Sequence, residues 1–166
     1  MNKDFLCLSD WSLEELEKIF TLTSELKSKQ KAGIPHQLLA GKTLGMLFEK
    51  SSTRTRVSFE AGIFHLGGHA LFLASGNTQM GRGEPIKDTA RVMGRMLHGA
   101  VIRTFAQKDV EDFAEFSGIP TINALTDEEH PCQILADLFT IRESRGSLDG
   151  LKVAFIGDGD CNVSRC

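Results

Sequence analysis

The sequence lacks several features that would place it in a specialised class. It has no run of about 18 apolar residues, so we expect no membrane-spanning helix. Its first eleven residues are too polar and acidic for a secretory signal peptide. Neither sign of charge dominates, because 19 Lys and Arg face 22 Asp and Glu. Nucleic-acid-binding domains carry a basic excess on one face. We therefore expect neither a membrane nor a nucleic-acid partner.

Paired cysteines and clustered metal ligands are also missing. The four cysteines are scattered and form no CxxC pair, and a chain of 166 residues does not depend on disulfides. A reducing, cytoplasmic location is the simplest interpretation. Cys132 lies beside His130, which raises the alternative of a nucleophile, but a buried, inert thiol is the usual case. The other histidines have no ligands around them, so we expect no metal site.

Short apolar runs alternate with segments of helical spacing along most of the chain. Ser12 and Glu15 form a capping box that opens a first helix, which ends near Lys31 to Gly33. Strands are predicted at Thr43–Phe48, Ala70–Leu73, Gly99–Thr104, Thr121–Asn123 and Lys152–Ile156, and helices at Val57–Leu66, Ile86–Leu97, Lys108–Phe116 and His130–Ser144. This alternation predicts an α/β domain of three layers, with a central parallel sheet of about four strands flanked by helices.

In such sheets, ligands bind beyond the carboxyl ends of the strands. The first loop at that edge holds Ser52, Thr53, Arg54 and Thr55, where a strand ends and a helix begins. Free backbone N–H groups, hydroxyls and a guanidinium together suit an anion. A capped helix with solvated arginines is the alternative, and the residues alone leave both open.

Two further loops carry polar chemistry at the same edge. Arg103 closes an apolar strand, so its side chain should reach the crevice beside the first loop. His130 and Gln133 lie three apart at a helix start, with Pro131 between them in the first turn. An imidazole and an amide suit a small polar group such as a carbamoyl. The alternatives are a surface arginine and a structural cap.

Two glycine-containing segments complete the loops of interest. Residues 77–85 are long enough to cover a site or to reach a neighbouring subunit. Residues 156–163 follow an apolar run with a glycine turn, but they lack the third glycine of a dinucleotide fingerprint. We therefore expect no nucleotide cofactor.

Three motifs in this order resemble the aspartate and ornithine carbamoyltransferase family. Phe48–Arg56 is similar to the family's carbamoyl-phosphate loop, and Ile102–Phe105 is similar to its Ile-Arg-Thr-Phe strand end. The segment His130-Pro131-Cys132-Gln133 is similar to its HPxQ element. Lys50-Ser51 stands where the aspartate branch has Glu-Pro before its Ser-Thr-Arg-Thr-Arg, so the resemblance favours the ornithine branch.

The resemblance implies a reaction and a set of binding residues. The side-chain amine of L-ornithine would attack the carbamoyl carbon of carbamoyl phosphate, releasing phosphate without a cofactor or metal. Arg54, Arg103, His130 and Gln133 would be catalytic, and carbamoyl phosphate would be bound by Ser52, Thr53, Arg54, Thr55, Gln79, Arg103, His130, Pro131, Cys132 and Gln133. Gln79 would reach the site of a neighbouring subunit in a homotrimer. Asn162 would contact ornithine, although Asp160-Cys161 adds a residue before it.

The resemblance also implies a domain boundary. Residues 1–148 would form the carbamoyl-phosphate-binding domain, and residues 149–166 would begin an ornithine-binding domain whose first strand is Lys152–Ile156. We expect this length of chain alone to be inactive. The alternatives are transfer to another acceptor, such as aspartate, putrescine or an acylated ornithine, and a non-catalytic anion-binding or assembly subunit.

Overall fold

The computed structural model describes residues 4–74 and 83–166. A short 3₁₀ helix, Leu8–Asp10, precedes the main elements. These are α1 (Leu13–Lys31), β1 (Thr43–Phe48), α2 (Thr53–His65), β2 (His69–Ala74), α3 (Ile86–Met93), β3 (Gly99–Arg103), α4 (Gln107–Ser117), β4 (Thr121–Leu125), α5 (Pro131–Arg145) and α6 (Asn162–Arg165). The alternation predicted from the sequence is confirmed through α5.

The four strands form one parallel sheet in the order β2-β1-β3-β4. Phe48 pairs with Ala74 on one side and with Arg103 on the other, so three strands end level with one another. The ladder between β3 and β4 is irregular after Ile102, and Arg103 is opposite Leu125. The predicted α/β class and the four-stranded parallel sheet are therefore confirmed. The loops after β1, β3 and β4 emerge at one edge.

Alternating strand residues supply the two halves of the core. Leu47 and Ile102 pack with Val110 and Phe113 on the face covered by α3 and α4. The neighbouring residues Met46, Phe48 and Val101 point to the opposite face, where Phe59 of α2 packs against them. Because successive strand side chains face opposite sides, both faces of the central strands are apolar. The result is the predicted three-layer arrangement.

Helix α1 begins and packs as its sequence indicates. The Ser12 hydroxyl accepts a hydrogen bond from the Glu15 backbone N–H at 3.3 Å, and the Glu15 carboxylate accepts from the Ser12 N–H at 2.8 Å. This capping box satisfies two N–H groups that the helix leaves free. Phe20 of α1 packs against Phe139 of α5, with ring centroids 5.8 Å apart. Helix α1 therefore forms an outer layer on α5.

Two predicted helix boundaries are wrong. Helix α2 begins at Thr53 rather than Val57, because the Ser52 hydroxyl accepts from the Thr55 N–H and caps the helix there. Residues 53–55 are thus a helical turn and not loop. Helix α3 ends at Met93 rather than Leu97. Gly94 ends α3 where its backbone meets the C-terminal end of α4 at Ser117.

The predicted strand Lys152–Ile156 is also wrong, because these residues pair with no strand in the described parts of the chain. The edge of the sheet beside β4 is occupied by an N-terminal residue. Phe5 forms a parallel bridge with Ile122, donating to Thr121 O and accepting from Asn123 N, both at 2.8 Å. A strand without a partner leaves its N–H and C=O groups to water. The side chain of Ile156 is accordingly 95% exposed.

The close approach at Gly94 gives a stability prediction. A Cβ on this residue would lie 1.9 Å from Ser117 O, a backbone atom that cannot move without shifting α4. We expect Gly94→Ala to lower the free energy of unfolding by about 1–3 kcal/mol, measured by urea denaturation. Gly62→Ala is the matched control, because it lies inside α2 with nothing within 4 Å of the added Cβ. Alanine should stabilise that helix by up to about 1 kcal/mol. Equal effects of the two substitutions would contradict the packing argument.

Candidate functional site

A cleft of about 350 Å³ opens at the edge where the strands end. It is lined by Ser52, Arg54, Thr55, Ser58, Phe59, Arg103, Leu125, His130, Cys132, Gln133 and Ala136. These residues come from the first turns of α2 and α5 and from the ends of β3 and β4. Three segments that are far apart in the sequence therefore meet in one place. Among the described residues that line it there is no aspartate or glutamate.

The first wall of the cleft is the N-terminal end of α2. Ser52 uses a lone pair of its hydroxyl to cap the Thr55 N–H at 3.2 Å, which leaves its own O–H free to donate. The N–H groups of Thr53 and Arg54 lie in the first turn and have no intrahelical acceptor. The helix dipole adds partial positive charge at the same point. This wall presents hydroxyl and N–H donors, and its described residues include no carboxylate.

The N-terminal end of α5 forms the facing wall. His130 is its N-cap residue, and the His130 side chain caps no backbone N–H. Pro131 follows as the first helical residue, where a missing N–H leaves nothing unsatisfied. Two helices of 13 and 15 residues thus direct their N-termini into one cleft. Both dipoles favour an anion there.

Two guanidinium groups add full positive charges. Arg54 is exposed, and no described side chain forms an ion pair with it. Arg103 is partly buried, and burial lowers the pKa of its guanidinium. Its Nε is buried and has no hydrogen-bond partner within residues 4–74 and 83–166. An unpartnered buried donor is costly to leave in place, so this one suits a site whose acceptor is a ligand.

His130 lies in the same polar environment. Burial lowers the pKa of its imidazole, the neighbouring Arg103 cation lowers it further, and Asp137 opposes both effects. The neutral ring is therefore the favoured form at neutral pH. Its Nδ1 is buried and has no partner in the described part of the chain. A neutral imidazole offers one donor and one acceptor to a ligand.

Cys132 behaves as an inert thiol. Its Sγ donates to Asn123 O at 3.3 Å, and burial raises the pKa of the thiol to about 12. Only the thiolate is a good nucleophile, so almost none of the reactive form exists at neutral pH. The thiol shares the cleft with His130, but its chemistry does not support nucleophilic catalysis.

Gln133 is oriented by a residue one turn further along α5. Its Nε2 donates to Asp137 Oδ1 at 2.9 Å. This contact uses one N–H of the amide and leaves its carbonyl oxygen as an acceptor without a partner in the described residues. Sequence reasoning missed Asp137, although the spacing of four residues on a helix would have indicated the contact.

The remaining predicted residues lie elsewhere. Thr53 lines a neighbouring cleft of about 560 Å³ together with Lys50 and Arg56. Pro131 is fully buried. The side-chain amide of Asn162 donates to Thr126 O at 2.7 Å, on the loop that leads to His130. Gln79 lies outside the described residues.

Sequence reasoning also missed contacts that join the loops around the cleft. Lys50 forms an ion pair with Asp127 and lies 4.6 Å from the ring centroid of Phe105. Glu49 accepts a hydrogen bond from the hydroxyl of Thr104. These contacts link the loops after β1, β3 and β4. They depend on strand order, which the local sequence does not encode.

Other kinds of site are not found in the described parts of the chain. No group of three or more His, Cys, Asp or Glu side chains there could hold a metal ion. No helix in those parts has both the length and the apolar character needed to cross a bilayer.

Comparison with known proteins agrees with this geometry. A family model described as the aspartate/ornithine carbamoyltransferase, carbamoyl-P binding domain matches residues 3–143. The ornithine carbamoyltransferase of Syntrophotalea carbinolica is 66% identical over 160 residues, which cover 96% of this chain and 53% of that protein. That of Geobacter sulfurreducens is 59% identical over 160 residues, with coverage of 96% and 53%. The chain spans about half the length of the curated relatives it matches.

Solved structures give the same result. The ornithine carbamoyltransferase of Pyrococcus furiosus superposes with a TM-score of 0.95 at 50% identity, covering 98% of this chain and 52% of that one. The aspartate transcarbamoylase of Trypanosoma cruzi, solved with N-(phosphonacetyl)-L-aspartic acid, superposes with a TM-score of 0.88 at 31% identity, covering 95% and 49%. The family match covers most of the chain, and the cleft lies where its motifs meet. The chain therefore belongs to the aspartate/ornithine carbamoyltransferase family and contains its carbamoyl-phosphate-binding domain.

Proposed function

We propose that this chain binds carbamoyl phosphate and takes part in transfer of the carbamoyl group to the side-chain amine of L-ornithine, giving L-citrulline and phosphate. The single observation that carries the proposal is the cleft, in which two helix N-termini and two arginines converge without a lining carboxylate. Such a site suits a small dianion. The relatives' names supply the acceptor, ornithine.

The proposed ligand would span the cleft from one wall to the other. Its phosphate would lie against the first turn of α2, with donors from Ser52, Thr55, the Thr53 N–H and the guanidinium of Arg54. A guanidinium binds two phosphate oxygens at once, which fixes orientation as well as charge. Arg103 would lie between the phosphate and the carbamoyl oxygen.

The carbamoyl end would meet the first turn of α5. Neutral His130 would donate to the carbamoyl oxygen, and the free carbonyl oxygen of Gln133 would accept from the carbamoyl NH₂. Pro131 and Cys132 would shape this wall without reacting. During transfer, negative charge builds on the carbonyl oxygen and on the departing phosphate. Donors and cations already in place stabilise that charge without reorganisation.

The acceptor and the assembly form the remaining parts of the proposal. We assign residues 1–148 to the carbamoyl-phosphate domain and residues 149–166 to the start of the acceptor domain, with Asn162 as an ornithine contact. A homotrimer in which Gln79 reaches a neighbouring site completes the proposal, together with a role in arginine biosynthesis or ornithine metabolism. The cytoplasmic location stays a prediction from the sequence.

The direct test is an acceptor panel with the longest form of the protein that its gene encodes. We expect citrulline from carbamoyl phosphate and L-ornithine, with far less product from aspartate, putrescine or N-acetylornithine. Another preferred amine would overturn the ornithine assignment but keep carbamoyl transfer. Binding of carbamoyl phosphate without product, even after mixing with an intact homologous subunit, would favour the non-catalytic alternative.

A further inference from the structure

Behind the cleft lies a group of buried polar side chains to which neither the motifs nor the proposed reaction gives a role. Asn123 and Thr126 are fully buried, and Gln107 is 9% exposed. Gln107 begins α4, just after the loop that follows Arg103. Asn123 lies in β4, and Thr126 begins the loop that ends at His130. We name these three residues the loop-anchoring network.

The hydrogen bonds of the network converge on one atom. Gln107 Oε1 accepts from Asn123 Nδ2 at 3.0 Å and from the Thr126 hydroxyl at 2.9 Å. Asn123 Nδ2 also donates to Leu6 O at 3.0 Å, which ties the network to the N-terminal segment. A buried acceptor with two donors holds both of them in one geometry.

Thr126 connects this network to the loop that carries His130. Its hydroxyl accepts from the Glu129 N–H at 2.9 Å, and its own N–H donates to Glu129 O at 2.8 Å. Residues 126–129 are thereby closed into a tight turn, and His130 is the next residue. The Asn162 amide donates to Thr126 O from outside this turn. His130 therefore directly follows a turn that the Thr126 hydroxyl and the Thr126 backbone hold together.

The network also sets His130 relative to Arg103. Thr104 N donates to Leu125 O at 3.0 Å, so the ends of β3 and β4 are joined directly. Gln107 follows four residues after Arg103 and holds Thr126, four residues before His130. The two cleft residues on β3 and α5 are therefore coupled through buried bonds rather than through solvent-exposed loops.

We propose that Gln107, Asn123 and Thr126 are positioning residues, which hold His130 at the distance from Arg103 that carbamoyl phosphate requires. The inference rests on the proposed function and deepens it. A displacement of about 1 Å in a site of this kind can lower the rate by about 100-fold. The network acts on both ligand binding and transfer, because His130 contacts the carbamoyl group in each.

The test compares two buried threonines, Thr121 at the start of β4 and Thr126 immediately after its end. Thr126→Val removes the hydroxyl at nearly constant volume and leaves the Glu129 N–H and one Gln107 lone pair without partners. Thr121→Val is the matched control, since Thr121 is equally buried at the opposite end of β4 and its hydroxyl donates only to Ile119 O at 3.1 Å. Thr126→Ser restores the hydroxyl.

For each variant, the full-length protein is measured for urea stability, carbamoyl-phosphate affinity by calorimetry, and kcat and KM. We expect Thr126→Val to weaken carbamoyl-phosphate binding about 10-fold and to lower kcat/KM by about 10- to 100-fold. The carbamoyl-phosphate affinity and kcat/KM of Thr126→Ser should lie within about threefold of the wild-type values. Thr121→Val should lower the free energy of unfolding but keep kcat/KM within about twofold of the wild type. Gln107→Met replaces Thr126→Val if the latter does not fold, with the same expected losses.

Several results would overturn the proposal. One is equal loss of affinity in Thr126→Val and Thr121→Val, since a purely structural role affects both alike. Another is a serine variant as impaired as the valine variant. If the wild type bound carbamoyl phosphate but carbamoylated no amine, the proposed function would be wrong. The calorimetric affinities of the Thr126 and Thr121 variants would still decide whether the network positions His130.

Discussion

Arg54→Ala is expected to lower kcat/KM for carbamoyl transfer by at least about 100-fold, with most of the loss in carbamoyl-phosphate affinity. The guanidinium lies on a wall that otherwise offers single hydroxyl and N–H donors. No described carboxylate neutralises it, so its whole charge is available to a dianion. Steady-state kinetics of the full-length protein at saturating ornithine measure the effect.

Two variants separate charge and geometry from helix stability. Arg54→Lys keeps the charge but loses the planar pair of donors, so its loss should lie between those of the wild type and alanine. Arg56→Ala is the matched control on the same helix, because Arg56 pairs with Glu60 at 2.9 Å and lies 3.7 Å from the ring centroid of Phe72. We expect the Arg56 variant to change kcat/KM no more than a fewfold. A larger loss from Arg56 than from Arg54 would refute the assignment of the phosphate to Arg54.

His130→Ala is expected to lower carbamoyl transfer by at least about 100-fold, because the carbamoyl oxygen loses its donor as charge develops there. Phosphate binding should change much less, since the α2 wall remains intact. Inorganic phosphate titrated into both proteins provides that comparison. If the alanine variant lost phosphate and carbamoyl phosphate in equal proportion, His130 would not be specific to the carbamoyl end.

The lowered pKa of His130 predicts how the stability of the folded protein depends on pH. Burial, reinforced by Arg103 and opposed by Asp137, lowers this pKa below its ordinary value of 6.5. Between that value and the lowered one, the unfolded chain binds a proton that the folded protein does not. Stability should therefore fall as the pH drops below 6.5 and should be unaffected by this group above it.

His130→Gln should remove that part of the pH dependence. We expect the difference in urea stability between the wild type and this variant to be constant from pH 8 to 6.5. Below pH 6.5 the free energy of unfolding of the wild type should fall relative to that of the variant. A constant difference down to pH 5 would show that His130 titrates alike in the folded and unfolded chains.

Much of the fold follows from local pattern. Short runs of three to six residues between segments of helical spacing predicted every strand of the sheet, because the central strands of a parallel sheet are covered on both faces. The predicted start of α2 missed a local serine cap, and two other predictions failed at tertiary features. Helix α3 ends where Gly94 meets Ser117, and residues 152–156 pair with none of the strands in the described parts of the chain.

The site residues likewise include some that the sequence indicated and some that only the structure identified. Residue types with chemical meaning, such as Arg54, Arg103, His130 and Gln133, are visible in the sequence because each stands where a strand ends or a helix begins. Their common cleft was predictable from the rule that parallel strands end at one edge. The partners that orient them were not, since Gln107 and Thr126 are polar residues of ordinary appearance until they are buried together.

The sequence by itself determined the order of strands and helices, the helix starts marked by serine, proline and histidine, and the cations and donors of the site. These depend on spacing and on residue chemistry within a few positions. Only the tertiary structure decided which strands are neighbours, which N–H groups and guanidinium atoms are left without partners, and which buried amides hold the loops in place. Those properties arise from contacts between distant segments, whose free energy depends on burial and geometry that no local pattern contains.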